Sequence, residues 1–73
     1  MQDWQEKVII EHKELTDKII KLIQFIANTD NIKTLSEFNF NALQRQLWAM
    51  LDYNRHLIDR IRNFYVHTND EIK

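Results

Sequence analysis

The first third of the chain carries an apolar seam at helical spacing. Its members follow one another at steps of three or four residues, which places their side chains on one face of an α-helix. They are Trp4, Val8, His12, Leu15, Ile19, Leu22 and Ile26. A second apolar line through Ile9, Ile20 and Ile23 makes the stripe wider than one partner helix covers. We therefore predict a helix over residues 3–28, with the carboxylate of Asp3 capping its amino end.

A second long helix is predicted for about residues 39–66. Its seam consists of Leu43, Leu47, Met50, Leu57, Ile61 and Phe64. Asn54 lies in this seam, where a single polar residue either fixes the helix register or is satisfied by a neighbour. A second stripe repeats every seven residues and consists of Leu51, Ile58 and Tyr65. The polar tail, residues 67–73, is predicted to fray.

The segment between the two helices is polar at its start and aromatic towards its end. Residues 28–31 have the sequence Asn-Thr-Asp-Asn, and such side chains compete for backbone hydrogen bonds, so we expect the first helix to end there. Residues 29–38 are predicted to form a short connector with at most one helical turn. Ser36, Asn39 and Asn41 are alternative N-caps for the last helix, and the sequence does not choose among them.

The composition limits the fold to helices. The 73 residues include no cysteine, glycine or proline, which excludes disulfides, glycine-dependent hairpin turns and the phosphate-binding loops of the Walker and Rossmann types. A domain of this size buries a small core and needs further stabilisation, for which other copies of the chain are available. We predict an all-α fold of two long antiparallel helices, assembled into a compact homo-oligomer that covers the second stripes.

The charge balance argues against several classes of partner. A formal net charge of −1 provides no basic field for duplex DNA. No apolar run has the length of a membrane span, and the polar amino terminus does not resemble a signal peptide, so we expect a cytosolic protein. The histidines at positions 12, 56 and 67 do not match a metal-ligand spacing. No catalytic constellation stands out, and we expect neither an enzyme nor a bound cofactor.

Several residues have both a structural and a binding interpretation. His12 is either a histidine at a helix interface or a ring offered to a ligand between protomers. Aromatic side chains such as Phe25 either pack or stack on nucleobases. Asn28 and Thr29 are ordinary turn residues that are also able to hold an anion. The arginines on the last helix either form surface ion pairs, as Arg55 can with Asp52 or Asp59, or bind phosphate, for which Arg60 and Arg62 are candidates.

With these residues laid out, the chain resembles the phage anti-CBASS cyclic-nucleotide sponge family, type two of that class. The likeness covers most of the chain and consists of short helical motifs in a shared order. They are Trp4-Gln5-x-x-Val8; Glu11-x-x-Glu14-Leu15-x-x-Lys18-Ile19-x-x-Leu22-x-x-Phe25-Ile26; Leu35; and Gln46-Leu47-x-Ala49-Met50-x-x-Tyr53-x-x-x-Leu57-x-x-Arg60-Ile61-x-x-Phe64.

The resemblance implies a hexamer that sequesters cyclic oligonucleotide second messengers of bacterial antiphage signalling without cleaving them, in the cytoplasm of the infected host. It implies a cyclic dinucleotide site, for ligands such as cGAMP, between pairs of protomers, and a separate cyclic trinucleotide site around threefold contacts. His12 stands where the family has a tyrosine of the dinucleotide pocket, and Phe25 matches an aromatic residue. Ala27 replaces a phosphate-binding lysine. Thr29 matches a threonine of the trinucleotide site, whose arginine corresponds to Arg60 or Arg62.

Two further functions are compatible with the same pattern. A small helical interaction module would use its surplus apolar stripes to bind a host protein, and it would have no affinity for nucleotides. A helical DNA-binding dimer would need a basic face, which the near-neutral charge does not provide. The resemblance therefore favours sequestration of a cyclic nucleotide, with the interaction module as the alternative.

Overall fold

The chain folds into three helices that form one long antiparallel hairpin. The computed structural model describes the backbone of residues 2–72 and the side chains of residues 2–64. Helix α1 spans Asp3–Ala27, the short α2 spans Thr29–Lys33, and α3 spans Glu37–Ile72. The described part of the chain contains no strand, and its long helices α1 and α3 pack together, so the predicted all-α hairpin is confirmed.

The amino end of α1 is capped by a different residue from the one predicted. Gln2, and not Asp3, occupies the N-cap position. The backbone amide of Gln2 donates to Oε1 of Gln5 at 2.9 Å, and the indole Nε1 of Trp4 donates to Oε1 of Gln2 at 2.8 Å. A glutamine one turn into the helix reaches back to the cap backbone, as in a capping box, which leaves Asp3 inside the first turn where its charge complements the helix dipole.

The connector uses asparagine and serine caps in place of glycine. Asn28 ends α1 and begins α2, and its side-chain oxygen accepts from the amide of Asp30 at 3.0 Å. Ser36 is the cap of α3, since its hydroxyl accepts from the amide of Asn39 at 3.1 Å. The described backbone contains no residue with positive φ, which explains how the turn forms without glycine.

Helix α3 is longer than predicted at both ends. It begins at Glu37, next to its serine cap, and it continues to Ile72, past the predicted end near residue 66. Residues 67–72, which we expected to fray, are helical. Lys73 lies outside the described residues, as does the side chain of Tyr65 from the predicted second stripe.

The hydrophobic core is a narrow line between α1 and α3. Val8, Leu57 and Phe64 form its buried cluster, and the half-buried Leu15 and Ile61 pack against them. Ile19 is the other fully buried apolar residue among the described side chains. At the open end of the hairpin, the ring of Trp4 meets Phe64 edge to face, with centroids 5.0 Å apart. The predicted seams therefore face each other, as their periodicity required.

None of the helices in the described part of the chain combines the length and the apolar character that crossing a bilayer requires.

Replacing Leu57 by alanine tests the core. The Leu57 side chain is completely buried, so we expect Leu57→Ala to lower the free energy of unfolding by about 2–5 kcal/mol. Urea denaturation followed by far-ultraviolet circular dichroism measures the change. Ile10→Ala is the matched control, because Ile10 is 53% exposed. Equal destabilisation by both substitutions would contradict this assignment of the core.

Candidate functional site

A chain of polar side chains crosses the apolar line between the two long helices. Nδ1 of His12 lies 2.7 Å from Oδ1 of Asn54, and Nδ2 of Asn54 lies 3.1 Å from Oγ1 of Thr16. The hydroxyl of Thr16 donates back to the carbonyl of His12 at 2.8 Å. The two polar residues in the predicted seams, His12 and Asn54, are therefore each other's partner, and Asn54 is satisfied by a neighbour within the same chain.

The direction of these hydrogen bonds fixes the tautomer of His12. Thr16 has one hydroxyl proton and gives it to the His12 carbonyl, so Asn54 must donate its amide proton to Thr16. The remaining Asn54 group is a carbonyl oxygen, which accepts, and His12 must therefore carry a proton on Nδ1. Because no buried side-chain nitrogen or oxygen of the described residues lacks a partner, the other ring nitrogen, Nε2, contacts solvent.

One side of the hairpin is polar, and we call it the polar flank. The hydroxyl of Tyr53 on α3 donates to the carboxylate of Glu11 on α1 in a short hydrogen bond. Arg60 lies two turns after Tyr53 on the same face of α3. A small cavity of about 140 Å³ opens beside this contact and is lined by Glu11, Glu14, Leu15, Lys18 and Tyr53.

The polar flank changes the acidity of Tyr53. The hydrogen bond to Glu11 raises the pKa of the Tyr53 phenol above its ordinary value of 10.0. Partial desolvation and the negative charge of Glu11 act in the same direction, while the positive charge of Arg60 lowers the pKa. Tyr53 is consequently a neutral hydrogen-bond donor throughout the physiological range.

A larger cleft lies on the polar flank near the connector, and we call it the connector cleft. It has a volume of about 450 Å³ and is lined by Phe25, Leu35, Asn39, Ala42, Leu43 and Gln46. The size falls in the range of small-molecule pockets, and the combination of apolar walls with a few amide groups is typical of them. Gln46 precedes Tyr53 by seven residues, so the cleft and the Glu11–Tyr53 contact share one face of α3.

The predicted site residues lie in four separate places along one chain. Phe25 lines the connector cleft, while Asn28 and Thr29 lie at the exposed junction of α1 and α2. His12 lies midway along α1. Arg60 lies near the open end, between Leu57, which packs on Val8, and Phe64, which meets Trp4. About eighteen residues of α1 therefore separate Phe25 from the level of Arg60, which is roughly 27 Å along the helix axis.

The two candidate arginines point in different directions. Arg60 and Arg62 are two positions apart on α3, which places their side chains about 200° apart around the helix. Arg55 pairs with Asp52 at 2.9 Å, so of the two predicted ion pairs the structure forms this one. Neither Arg60 nor Arg62 forms an ion pair with a described side chain. Arg60 is on the polar flank, and Arg62 is not.

Sequence reasoning missed the residues that complete the connector cleft. Asn39 was considered only as a cap and Gln46 only as part of a motif, yet both line the cleft. Lys18 and Lys21 precede Phe25 by seven and four residues and share its face of α1. The spacing of these two lysines relative to Phe25 was the signal in the sequence that places positive charge on the same face as the aromatic ring. No cluster of potential metal ligands occurs among the residues whose side chains the structure describes.

Removing Asn54 tests the polar chain. Asn54→Ala leaves the Nδ1 proton of His12 without its acceptor in a half-buried position, so we expect a loss of about 1–2 kcal/mol in the free energy of unfolding. Urea denaturation measures it. The exposed Asn63 supplies the control substitution Asn63→Ala, expected to stay within about 0.5 kcal/mol of wild type. If Asn54→Ala left the free energy of unfolding unchanged, the polar chain would not stabilise the hairpin.

The Tyr53 pKa gives a second test. We expect Glu11→Ala to lower the pKa of Tyr53 towards 10.0 and Arg60→Ala to raise it further, because these neighbours act in opposite directions. Ultraviolet titration of each protein, with the Tyr53→Phe curve subtracted, isolates this phenol. The folded-state pKa is raised, so the stabilisation from this contact is complete below pH 10 and is lost as the pH rises through the folded-state value. Shifts of the same sign in both variants would refute the proposed geometry.

Comparison with known proteins assigns the chain to a family. No curated protein and no solved structure shows significant similarity to it. Residues 2–63, which include α1, α2, the connector cleft and most of α3, match the family described as Sequestin. That match spans well over half of the 73 residues. The chain belongs to the Sequestin family.

Proposed function

We propose that this protein sequesters cyclic oligonucleotide second messengers as a homo-oligomer and releases them chemically unchanged. The family description, Sequestin, supports sequestration as the activity. The connector cleft is the observation that carries the choice of ligand, because it combines an aromatic wall with amide groups on an open surface. Membership of the anti-CBASS sponges, action in the cytoplasm of a phage-infected bacterium and a hexameric assembly complete the proposal, and these rest on the sequence resemblance.

The connector cleft has the chemistry to hold a nucleobase. Phe25 offers a partly exposed ring on which a base can stack, and such stacking contributes about 1–3 kcal/mol per base. The side-chain amides of Asn39 and Gln46 both donate and accept hydrogen bonds. They line the same cleft and match the donors and acceptors on the edge of a base. Leu35 and Leu43 supply the apolar floor.

Lysines close to Phe25 replace the one that the resemblance leads us to expect. Position 27 is alanine, so it offers no charge to a phosphate. Lys21 lies one helical turn before Phe25, and Lys18 lies two turns before it, on the polar flank. Both side chains belong to exposed residues, and neither is in an ion pair with a described side chain. Their ammonium groups are free to bind the phosphates of a ligand seated in the cleft.

The separation of the candidate residues favours a ligand held between copies. Phe25 and Arg60 share the polar flank but lie roughly 27 Å apart along the hairpin. A second copy can place its own Arg60 beside the Phe25 of the first, which one chain alone does not. Thr29 lies at the exposed junction of α1 and α2 and remains the candidate for a separate cyclic trinucleotide site, with Arg60 or Arg62 of another copy.

The protein is proposed to bind without catalysis. Isothermal titration with cyclic GMP–AMP and with a cyclic triadenylate measures affinity. Heat denaturation followed by chromatography then recovers the ligand, and we expect the intact cyclic compound. Recovery of a linear or shortened nucleotide would make the protein an enzyme. Failure of both ligands to bind at micromolar protein concentration would refute this ligand class and favour the interaction module, for which the exposed Trp48 and Phe38 would be the contact residues.

Matched substitutions locate the site. We expect Phe25→Ala to weaken binding of cyclic GMP–AMP by roughly 5- to 100-fold through lost stacking. Lys21→Ala is expected to weaken binding about tenfold or more, because it removes a charge-assisted hydrogen bond worth about 1.5–3 kcal/mol. Phe38→Ala and Lys13→Ala are the controls, since Phe38 does not line the connector cleft and Lys13 lies more than three helical turns before Phe25. Titration calorimetry measures all four variants, and losses in the controls equal to those in the test variants would exclude the cleft.

A further inference from the structure

Two side-chain amides line the connector cleft from the same face of α3. Asn39 and Gln46 are seven residues apart, which is roughly 10.5 Å along the helix axis. Ala42 lies between them, one turn from each, and lines the cleft as well. Because the alanine side chain ends at its methyl group, a gap separates the two longer side chains. This part of the cleft therefore has an amide at each end and a small apolar surface between them.

The hydrogen-bonding groups of both amides are available to a ligand. The side-chain amide of Asn39 makes no hydrogen bond with another described residue, since the contact to Ser36 comes from its backbone. Nε2 of Gln46 donates to Sδ of Met50 at 4.0 Å, and a thioether is a weak acceptor. Asn39 and Gln46 are also exposed. A ligand that binds both amides therefore displaces solvent and one weak intramolecular contact.

The described residues that line the connector cleft carry no charge. Guanine presents two acceptors, N7 and O6, on its Hoogsteen edge, and proteins bind that pair with the two donors of an arginine or with a lysine. Adenine presents the acceptor N7 beside the donor N6, which asparagine or glutamine binds with its own donor and acceptor. The Watson–Crick edge of adenine repeats this pattern, with N1 beside N6. An uncharged cleft with two amides thus matches adenine.

We propose that the connector cleft selects adenine, with Asn39 and Gln46 bound to opposite edges of the base. The N6 amino group has two hydrogens, one for each amide oxygen, while N1 and N7 each accept from one amide nitrogen. Guanine pairs with one amide through O6 and N1–H, but its other edge offers no donor to the second amide oxygen. The ring of Phe25 on α1 stacks on the base from the helix opposite Ala42.

This preference rests on the proposed function, because it requires a nucleobase in the cleft, and ligands that differ only in their bases test it. Titration calorimetry is expected to show cyclic di-AMP binding at least about tenfold more tightly than cyclic di-GMP. Equal affinities, or tighter binding of cyclic di-GMP, would refute adenine selection and leave sequestration intact. Absence of binding by both compounds and by cyclic GMP–AMP would refute the proposed function itself, and the base preference with it.

Exchanging the amide of Gln46 for a carboxylate tests the residue. A carboxylate donates no hydrogen bond, so Gln46→Glu loses its donor to adenine and gains acceptors for N1–H and N2–H of guanine. We expect the ratio of the cyclic di-AMP affinity to the cyclic di-GMP affinity to fall at least about fivefold. The ratio cancels the repulsion between the new charge and the phosphates, which is common to both ligands.

Gln44→Glu is the matched control for this substitution. It makes the same change of charge at an exposed residue of α3 that does not line the connector cleft. We expect the affinity ratio of this variant to stay within about twofold of wild type. An unchanged ratio in Gln46→Glu, or an equal change in both variants, would overturn the role assigned to Gln46.

A modified ligand keeps the test independent of any effect of substitution on folding. Cyclic di-AMP built from 7-deazaadenine lacks the N7 acceptor and keeps the Watson–Crick edge and the stacking surface. We expect wild-type protein to bind it about threefold or more weakly than cyclic di-AMP, because one amide donor loses its acceptor. Equal affinity for the two compounds would refute binding of the base by amides at both edges.

Discussion

Two helices packed side by side bury their side chains along only one line of contact, and this geometric limit shapes the whole molecule. The line holds Val8, Leu57 and Phe64. Ile19 is buried as well, and the other apolar side chains that the structure describes on the long helices stay at least partly exposed. The two sides then differ in chemistry: one is apolar on both helices, and the other has the Glu11–Tyr53 contact and the connector cleft. The hairpin therefore has one apolar side and one polar side.

The polar chain of His12, Asn54 and Thr16 gives the line of contact its specificity. Apolar seams alone allow two helices to slide past each other by a turn, because any apolar residue can replace another. A half-buried asparagine that must meet a histidine and a threonine removes this freedom. The same hydrogen bonds fix His12 with a proton on Nδ1, which leaves Nε2 at the surface as an acceptor while the ring is neutral. His12 is thus part of the helix interface, and Nε2 is the ring nitrogen that these hydrogen bonds leave available.

The sequence predicted those features that depend on periodicity. The two long helices and their facing seams follow from spacing, and the structure has both, although α3 continues six residues past its predicted end. The predicted N-cap, Asp3, was wrong. The hydrogen bond between the Gln2 amide and the Gln5 side chain comes from a weaker sequence signal than an acidic residue at the start of a helix. The connector cleft was not predicted, since it needs Phe25 and Gln46, which are distant in sequence, to meet on one face. The sequence also did not show which apolar stripe of α1 lies beside which stripe of α3. That pairing depends on the register of the hairpin, which the contacts between the two helices determine.

The two hydrogen bonds that tie α3 to α1 also describe how the chain must fold. Tyr53 and Asn54 are adjacent, their partners Glu11 and His12 are adjacent, and each pair is separated by 42 positions. Closing a loop of that length costs roughly 3 kcal/mol of chain entropy, and the cost is incurred once, since the first contact brings the second into place. Helix formation is local and fast by comparison. The pairing of α3 with α1, and not the growth of either helix, is then the step that carries this entropic cost.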